Sequence, residues 1–81
     1  MTPRPRVLSG PDVVRALGAF GFKVVATRGS HAKLRRVRPD GADTITVPLH
    51  RELAPGTARA IYRQASRFVP ETDLRPWFFT D

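Results

Sequence analysis

The sequence predicts a small α+β domain with the element order αβββα, in which two helices cover one face of a three-stranded antiparallel sheet. Two patterns predict this class. Apolar residues recur at helical spacing over residues 10–20 and 55–68, and three short stretches rich in β-branched residues lie between these segments. The chain has 81 residues, which leaves room for one domain only.

The first helix is predicted over residues 10–20. Ser9 can cap the free backbone amides of its first turn, and Asp12 suits the positive end of the helix dipole. Gly21 follows as a natural helix terminator. The apolar stripe of this helix consists of Val13, Val14, Leu17 and Phe20.

Three strands are predicted in the middle of the chain, over residues 22–27, 31–38 and 43–49. A three-residue loop containing Gly29 joins the first strand to the second. A four-residue loop over residues 39–42, with turn-forming Pro, Asp and Gly, joins the second strand to the third.

The apolar pattern restricts the strand register, because a one-residue slip would turn every apolar side chain to the opposite face. Apolar residues face each other if Val24 lies opposite Leu34 and Leu34 lies opposite Val47. In this register His31 and His50, the only histidines of the chain, also face each other. The predicted apolar face carries Phe22, Val24, Ala26, Ala32, Leu34, Ile45, Val47 and Leu49, and the predicted polar face carries Lys23, Thr27, His31, Lys33, Arg35, Thr46 and His50.

A second helix follows the sheet. Arg59, Arg63 and Arg67 lie four residues apart on one side of it and are predicted to form a solvated face. Its apolar stripe consists of Ala58, Ile61, Tyr62, Ala65 and Phe68. In the tail after this helix, we expect Leu74, Trp77 and Phe78 to fold back over core that two short helices leave open. The other interpretation is that these side chains anchor in a protein partner.

The charge composition points to an anionic partner. The chain has 14 Lys and Arg against 7 Asp and Glu, a net charge of +7, and all but two of the cations are Arg. Guanidinium groups bind phosphate well, so nucleic acid is the first expectation and an acidic protein the second. The absence of cysteine excludes a disulfide scaffold and thiol catalysis. No apolar segment approaches the length of a membrane span, which predicts a cytoplasmic protein with no membrane partner.

The polar face has the groups that RNA cleavage requires. The 2′-hydroxyl of RNA is the nucleophile, so a protein must supply a base, an acid and cations that stabilise the charged phosphorane. His31 and His50, together with Lys33 and Arg35, meet this requirement. The same residues are also compatible with a solvated strand face, or with phosphate binding without catalysis.

A metal site is a poor fit to the sequence. Besides the two histidines, only Asp43 and Glu52 are candidate ligands, and neither stands at the spacing of a known metal motif. We therefore expect no metal and no cofactor.

Five short motifs follow one another along residues 7–68. They are Leu8-Ser9-Gly10, Gly21-Phe22, Arg28-Gly29-Ser30-His31, Thr46-Val47-Pro48-Leu49-His50 and Glu52-Leu53-Ala54-Pro55-Gly56-Thr57. In their order and spacing, these motifs resemble the HicA (YcfA-like) toxin family. Unlike many members of that family, this chain has Ala32 and Lys33 after the hairpin histidine instead of a second histidine or an aromatic pair.

The resemblance implies a double-stranded-RNA-binding-domain-like fold and the toxin of a type II toxin–antitoxin system. Such a toxin is a metal-independent endoribonuclease that cleaves mRNA, inhibits translation and is neutralised by a HicB-type antitoxin. The resemblance also implies that His31 is the catalytic residue. His50 matches the histidine that follows the family's Val-Pro pair, and it is a candidate acid or phosphate contact; the other interpretation is a hydrogen bond that orders its loop. We expect the RNA contacts to come from Lys23, Arg28, Gly29, Ser30, Lys33 and Arg35.

The predicted organisation is a flexible arm over residues 1–8, the HicA-like toxin domain over residues 9–69, and an aromatic tail over residues 70–81 that packs on the domain or on a partner. Two other functions stay open. The chain could be a non-catalytic RNA-binding module of the same fold, or the structural half of a DNA-binding repressor complex.

Overall fold

The computed structural model describes residues 3–80 and confirms the α+β class, with helices over the two predicted segments and a third helix in the tail. In chain order the elements are β1 (Arg4–Pro5), α1 (Gly10–Gly18), β2 (Lys23–Arg28), β3 (His31–Arg38), β4 (Gly41–Pro48), α2 (Pro55–Ala65), α3 (Glu71–Phe78) and β5 (Phe79–Thr80). The central sheet is antiparallel with the strand order β2-β3-β4, and β1 pairs separately with β5.

The first hairpin has the predicted register at only one end. Val24 lies opposite Leu34 as predicted, but a β-bulge between Val24 and Ala26 shifts the later pairs by one residue. Ala26 therefore lies on the face predicted to be polar, and Thr27 lies on the core side, opposite Ala32. The predictions for Ala26 and Thr27 are wrong because a bulge adds one residue to one strand and interrupts the alternation of faces.

The second hairpin is tighter than predicted. Leu34 lies opposite Ile45 and not opposite Val47, so only residues 39–40 form the loop, instead of residues 39–42. The predicted register is wrong by two residues. Because side chains alternate between faces, a shift of two leaves every side chain of these strands on its predicted face.

The N-terminus of α1 is fixed by its own sequence. The Ser9 hydroxyl accepts a hydrogen bond from the Asp12 amide at 3.0 Å, and the Asp12 carboxylate accepts one from the Ser9 amide at 2.9 Å, which forms a capping box. The Arg15 guanidinium lies 2.7 Å from the same carboxylate. The hydrogen bonds from the Ser9 backbone and from Arg15 lower the pKa of Asp12 to about 2.

The core lies between the helices and one face of β3 and β4. Leu17 of α1 meets Leu34 and Ile45 of the sheet there, and all three side chains are fully buried. Strand β2 is exposed along its whole length. The buried apolar residues are Leu8, Val13, Ala16, Leu17, Phe22, Ala32, Leu34, Ile45, Val47, Leu53, Ile61, Ala65, Val69, Leu74 and Phe78.

The N-terminal segment packs against the C-terminal tail. Strand β1 pairs with β5, and the Arg6 guanidinium donates hydrogen bonds to the carbonyl oxygens of Pro76 and Phe79 at 3.0 and 3.2 Å. Leu8 is buried. Within residues 3–8, the segment predicted to be a flexible arm is therefore held by a strand pair and by core contacts.

The tail itself contacts both other helices. Helix α3 packs against α1 and α2, and its residues Leu74 and Phe78 are buried. Trp77 remains 40% exposed, and its ring meets the Phe20 ring edge-on at a centroid distance of 6.4 Å. Leu74 and Phe78 thus belong to the core of this chain, while Trp77 packs on Phe20 in the turn after α1.

Candidate nucleic-acid interface

The sheet face that the helices leave open carries the positive charge of β2 and β3. Strand pairing sets Lys23 beside Arg35 and sets Arg28 beside His31. Asp43, the one acid within the three strands, points to the core side instead. We call this open surface the outer face; it consists of Lys23, Ala26, Arg28, His31, Lys33, Arg35, Val37, Ala42, Thr44, Thr46 and Pro48.

His31 is an exposed imidazole among cations. It is the first residue of β3 and lies between Arg28 of β2 and Pro48 of β4. Facing residues in antiparallel strands have Cβ atoms about 5 Å apart, so the Arg28 guanidinium can reach an anion held at His31. Lys33 follows on the same face, roughly 7 Å along the strand. A phosphate at His31 would therefore meet positive charge from two directions.

A two-residue turn, Gly29 and Ser30, presents His31. It is one residue shorter than predicted, because Arg28 itself pairs with His31. Gly29 has a φ of +57°, and a positive φ at the first loop position is typical of a type II′ turn. The Ser30 carbonyl oxygen accepts a hydrogen bond from the Leu49 amide at 2.5 Å. This bond fastens the hairpin to the loop that follows β4.

The two histidines do not face each other. The prediction that His31 lies opposite His50 is wrong: His31 lies opposite Pro48, and His50 is an exposed residue beyond the end of β4. The cause is the tight second hairpin, which moves β4 by two residues relative to β3. His50 therefore lies in a loop at the same end of the sheet as His31.

The start of α1 holds the loop that carries His50. The Gly10 amide donates a hydrogen bond to the His50 carbonyl oxygen at 2.8 Å. A Cβ atom at Gly10 would lie 2.0 Å from the Pro48 carbonyl oxygen and 2.6 Å from the Leu49 Cα, so only glycine permits this approach. Sequence reasoning missed this role, because a glycine at a helix start gives no signal of a distant backbone contact.

Two of the five cations between residues 28 and 38 do not contribute to the outer face. Arg36 and Arg38 extend from β3 to Asp43, with N–O distances of 2.7 and 3.0 Å. Burial raises the pKa of Asp43, but hydrogen bonds from Arg38 and Arg36 outweigh burial and hold this pKa below its ordinary value. Arg36 also donates to the Phe68 carbonyl oxygen at 2.9 Å. These two arginines stabilise the fold at the end of the sheet away from His31.

The two prominent cavities of the described residues lie away from His31. Cavities of about 770 and 280 Å³ lie between the N-terminal segment and the tail, and no residue of the outer face lines either of them. An open, cationic strand face suits an extended polyanion better than a small molecule. Within residues 3–80, no three His, Cys, Asp or Glu side chains cluster closely enough to hold a metal ion.

The helices of the described residues are short. The longest of them, α2, has 11 residues, and none in residues 3–80 combines the length and the hydrophobicity that crossing a bilayer requires.

An αβββα chain with helices on one sheet face and a cationic opposite face defines a small basic protein of the double-stranded-RNA-binding-domain-like fold class. Comparison with known families gives a narrower assignment. The model of the family described as the HicA toxin of bacterial toxin–antitoxin systems matches residues 10–66, more than two thirds of the chain. The chain therefore belongs to the HicA toxin family, which confirms the resemblance seen in the sequence motifs. No curated protein matches the chain.

The family match begins at α1 and ends just after α2. It covers the whole outer face, both histidines and the Gly10 contact. Helix α3 and the β1–β5 pair lie outside the match.

Proposed function

We propose that this toxin is an endoribonuclease that cleaves mRNA in the cytoplasm with His31 as its catalytic residue, and that it thereby inhibits translation. One observation carries the proposal: the His31 imidazole is exposed on a strand face that holds four cations and no carboxylate. Membership in a toxin family supports the same function.

The proposed reaction is an internal transesterification. The 2′-hydroxyl of the RNA loses its proton and attacks the adjacent phosphorus, and the P–O bond to the next 5′-oxygen breaks. The products carry a 2′,3′-cyclic phosphate and a 5′-hydroxyl. His31 would act as the general base or the general acid, and Arg28 and Lys33 would stabilise the charge that develops on the phosphoryl oxygens. This chemistry proceeds without a metal ion because the substrate supplies the nucleophile.

His50 is our candidate for a second functional group. The Ser30–Leu49 and Gly10–His50 hydrogen bonds keep its loop at the end of the sheet where His31 lies. From there the His50 imidazole could protonate the leaving oxygen or contact a neighbouring phosphate. His31 at the start of β3 and His50 in the loop after β4 would then act together from two elements, whereas the sequence predicted a pair that faces across the sheet.

We further propose that a HicB-type antitoxin neutralises the toxin by covering the outer face. An antitoxin surface rich in Asp and Glu would be complementary to Lys23, Arg28, Lys33 and Arg35, which have no acid beside them on that face. The RNA and the antitoxin would then compete for one surface.

The decisive variant is His31→Ala, measured for RNA cleavage and for RNA binding. Cleavage should fall by roughly 10²- to 10⁴-fold, the usual contribution of a general acid or base. RNA affinity should change only slightly, because the four cations remain. Thermal stability should also be preserved, since His31 is exposed and surface substitutions usually change stability by less than about 0.5 kcal/mol. His50→Ala is the matched second variant, and a smaller loss of cleavage would separate its role from that of His31.

A non-catalytic RNA-binding protein is the second candidate function. The observation that favours this function is the pairing of His31 with Pro48, because the outer face then presents one imidazole with no second imidazole opposite it. If wild type and His31→Ala bind RNA equally and neither accelerates its decay, the protein acts by binding and the catalytic assignment is wrong.

A further inference from the structure

Helix α2 exposes a second group of cations on the side of the molecule opposite the outer face. Ile61 and Ala65 point into the core, and the exposed Arg59 and Arg63 point away from it. Arg67 continues the row in the turn after α2. At 1.5 Å of rise per residue, these three arginines extend over roughly 12 Å of helix axis. We call them the α2 arginine row.

The charges of the α2 arginine row are not compensated by neighbouring side chains. Within residues 3–80, none of the three arginines forms an ion pair or a side-chain hydrogen bond. Arg36 and Arg38 differ sharply from these three, since both bind Asp43. Two acids lie near the row: Glu52 borders the same cavity as Arg59, and Glu71 lies beside Tyr62 of α2. Neither reaches ion-pair distance of Arg59, Arg63 or Arg67. Three adjacent, uncompensated guanidinium groups favour an external polyanion.

The surroundings of the row favour phosphates over a protein surface. Gly56 and Ala60, its exposed neighbours on the same side of α2, are small, and a Cβ at Gly56 would meet no atom within 4 Å. The large exposed apolar residues of the described chain all lie outside α2, and only Val7 among them borders the same cavity as Arg59. Stable protein interfaces usually have an apolar or aromatic centre, whereas contacts to a nucleic-acid backbone are made by cationic and polar groups and need no such centre.

We propose that the α2 arginine row is a second RNA-binding surface, which contacts the phosphate backbone of the same RNA outside the segment that lies at His31. The proposal rests on RNA being the ligand of the outer face. Because α2 covers the inner side of the sheet, a short oligonucleotide on the outer face does not reach the row, while a long mRNA can contact both surfaces. The row would therefore raise the affinity for long RNA without adding sequence preference.

The test compares two double variants that remove equal charge. Arg59→Gln with Arg63→Gln removes most of the row, and Arg4→Gln with Arg75→Gln removes two exposed cations elsewhere. All proteins carry His31→Ala, so that a 40-nucleotide oligouridylate stays intact during the titration. The measurement is the dissociation constant by fluorescence anisotropy over a series of salt concentrations.

The row variant should reduce the magnitude of the slope of the log association constant against log salt concentration by about 1.4, because each of the two lost contacts to single-stranded RNA removes about 0.7. The same relation predicts roughly 25-fold weaker binding at 0.1 M salt. The control variant should retain the slope of the parent protein, which carries only His31→Ala, to within about 0.3. Equal slopes for the row variant and the control would overturn the proposal.

A titration with polyglutamate identifies the competing ligand class. Loss of polyglutamate binding in the row variant, with an unchanged RNA slope, would assign the row to an acidic protein and would also overturn the proposal. Cleavage by the protein with His31 intact is measured separately, so failure of the proposed nuclease activity would leave these binding slopes interpretable.

Discussion

Replacing Gly10 by alanine would place a methyl group inside the contact between α1 and the loop after β4. The added Cβ would lie 2.0 Å from the Pro48 carbonyl oxygen, 2.6 Å from the Leu49 Cα and 2.9 Å from the Pro48 carbonyl carbon. All three are backbone atoms, so no flexible side chain can move aside. Since favourable contacts between heavy atoms begin near 3.5 Å, the helix and the loop would have to separate by more than about 1 Å.

The expected cost follows from these contacts. Overpacking of this kind costs about 1–3 kcal/mol, and weakening the hydrogen bond from the Gly10 amide to the His50 carbonyl costs about 1 kcal/mol more. The higher helix propensity of alanine returns at most about 1 kcal/mol. The net loss of about 2 kcal/mol should lower the melting temperature by roughly 8–16 °C in a domain of this size.

Gly18→Ala is the matched control, because Gly18 is also a glycine of α1 and a Cβ there would meet no atom within 4 Å. This variant should melt at the wild-type temperature or slightly above it. Thermal unfolding by circular dichroism measures both. If Gly10→Ala is as stable as Gly18→Ala, the close approach of α1 to the loop is not present and our account of how the loop is held fails.

The same substitution should also impair RNA cleavage. At a temperature where Gly10→Ala is fully folded, the loop that carries His50 would be displaced by about 1 Å relative to His31, and a displacement of that size can cost about 10²-fold in rate. Cleavage at the wild-type rate by the folded variant would show that this loop takes no part in the reaction.

Three further predictions concern stability and charge. The pKa of Asp43 is depressed in the folded state. The contribution of Asp43 to stability is therefore complete above its unfolded pKa near 4 and is lost as the pH falls through the folded value. In urea titrations, the free energy of unfolding should differ less between pH 6 and pH 3 for Asp43→Asn than for wild type. An unchanged pH dependence in Asp43→Asn would contradict the ion-pair assignment. Leu74→Ala should lose about 2–5 kcal/mol of unfolding free energy by urea titration because Leu74 is fully buried, whereas Trp77→Ala, on a half-exposed ring, should lose less; the reverse order would show that the tail is packed differently. Replacing Lys33 and Arg35 together by glutamine should reduce the salt slope of RNA binding by about 1.4, and an unchanged slope would remove the outer face from the RNA interface.

Local signals in the sequence were sufficient where neighbouring residues decide the structure. The capping box of α1 forms between Ser9 and Asp12, three residues apart, so its start could be predicted. The alternation of apolar and polar residues along β3 likewise predicted that His31 and Lys33 share the exposed face. These short-range patterns gave the fold class and most of the candidate site.

Register and long-range contacts could not be obtained in this way. The bulge after Val24 and the two-residue turn before Gly41 change the pairing without changing the residue pattern. The turn separates His50 from His31. The ion pair of Arg36 with Asp43 had a usable signal, because both residues alternate in phase with the apolar face. Opposite charges at two such positions predict a buried pair.

The central claim is that the RNA supplies its own nucleophile and His31 moves the proton. The most direct measurement uses an RNA oligonucleotide with a single 2′-deoxynucleotide at the cleavage position, beside the all-ribose oligonucleotide. We predict that wild type cuts only the all-ribose substrate at that bond and leaves a 2′,3′-cyclic phosphate and a 5′-hydroxyl. His31→Ala should cut the all-ribose substrate roughly 10²- to 10⁴-fold more slowly. Cleavage of the deoxy-substituted bond, or equal cleavage of the all-ribose substrate by wild type and His31→Ala, would contradict the account.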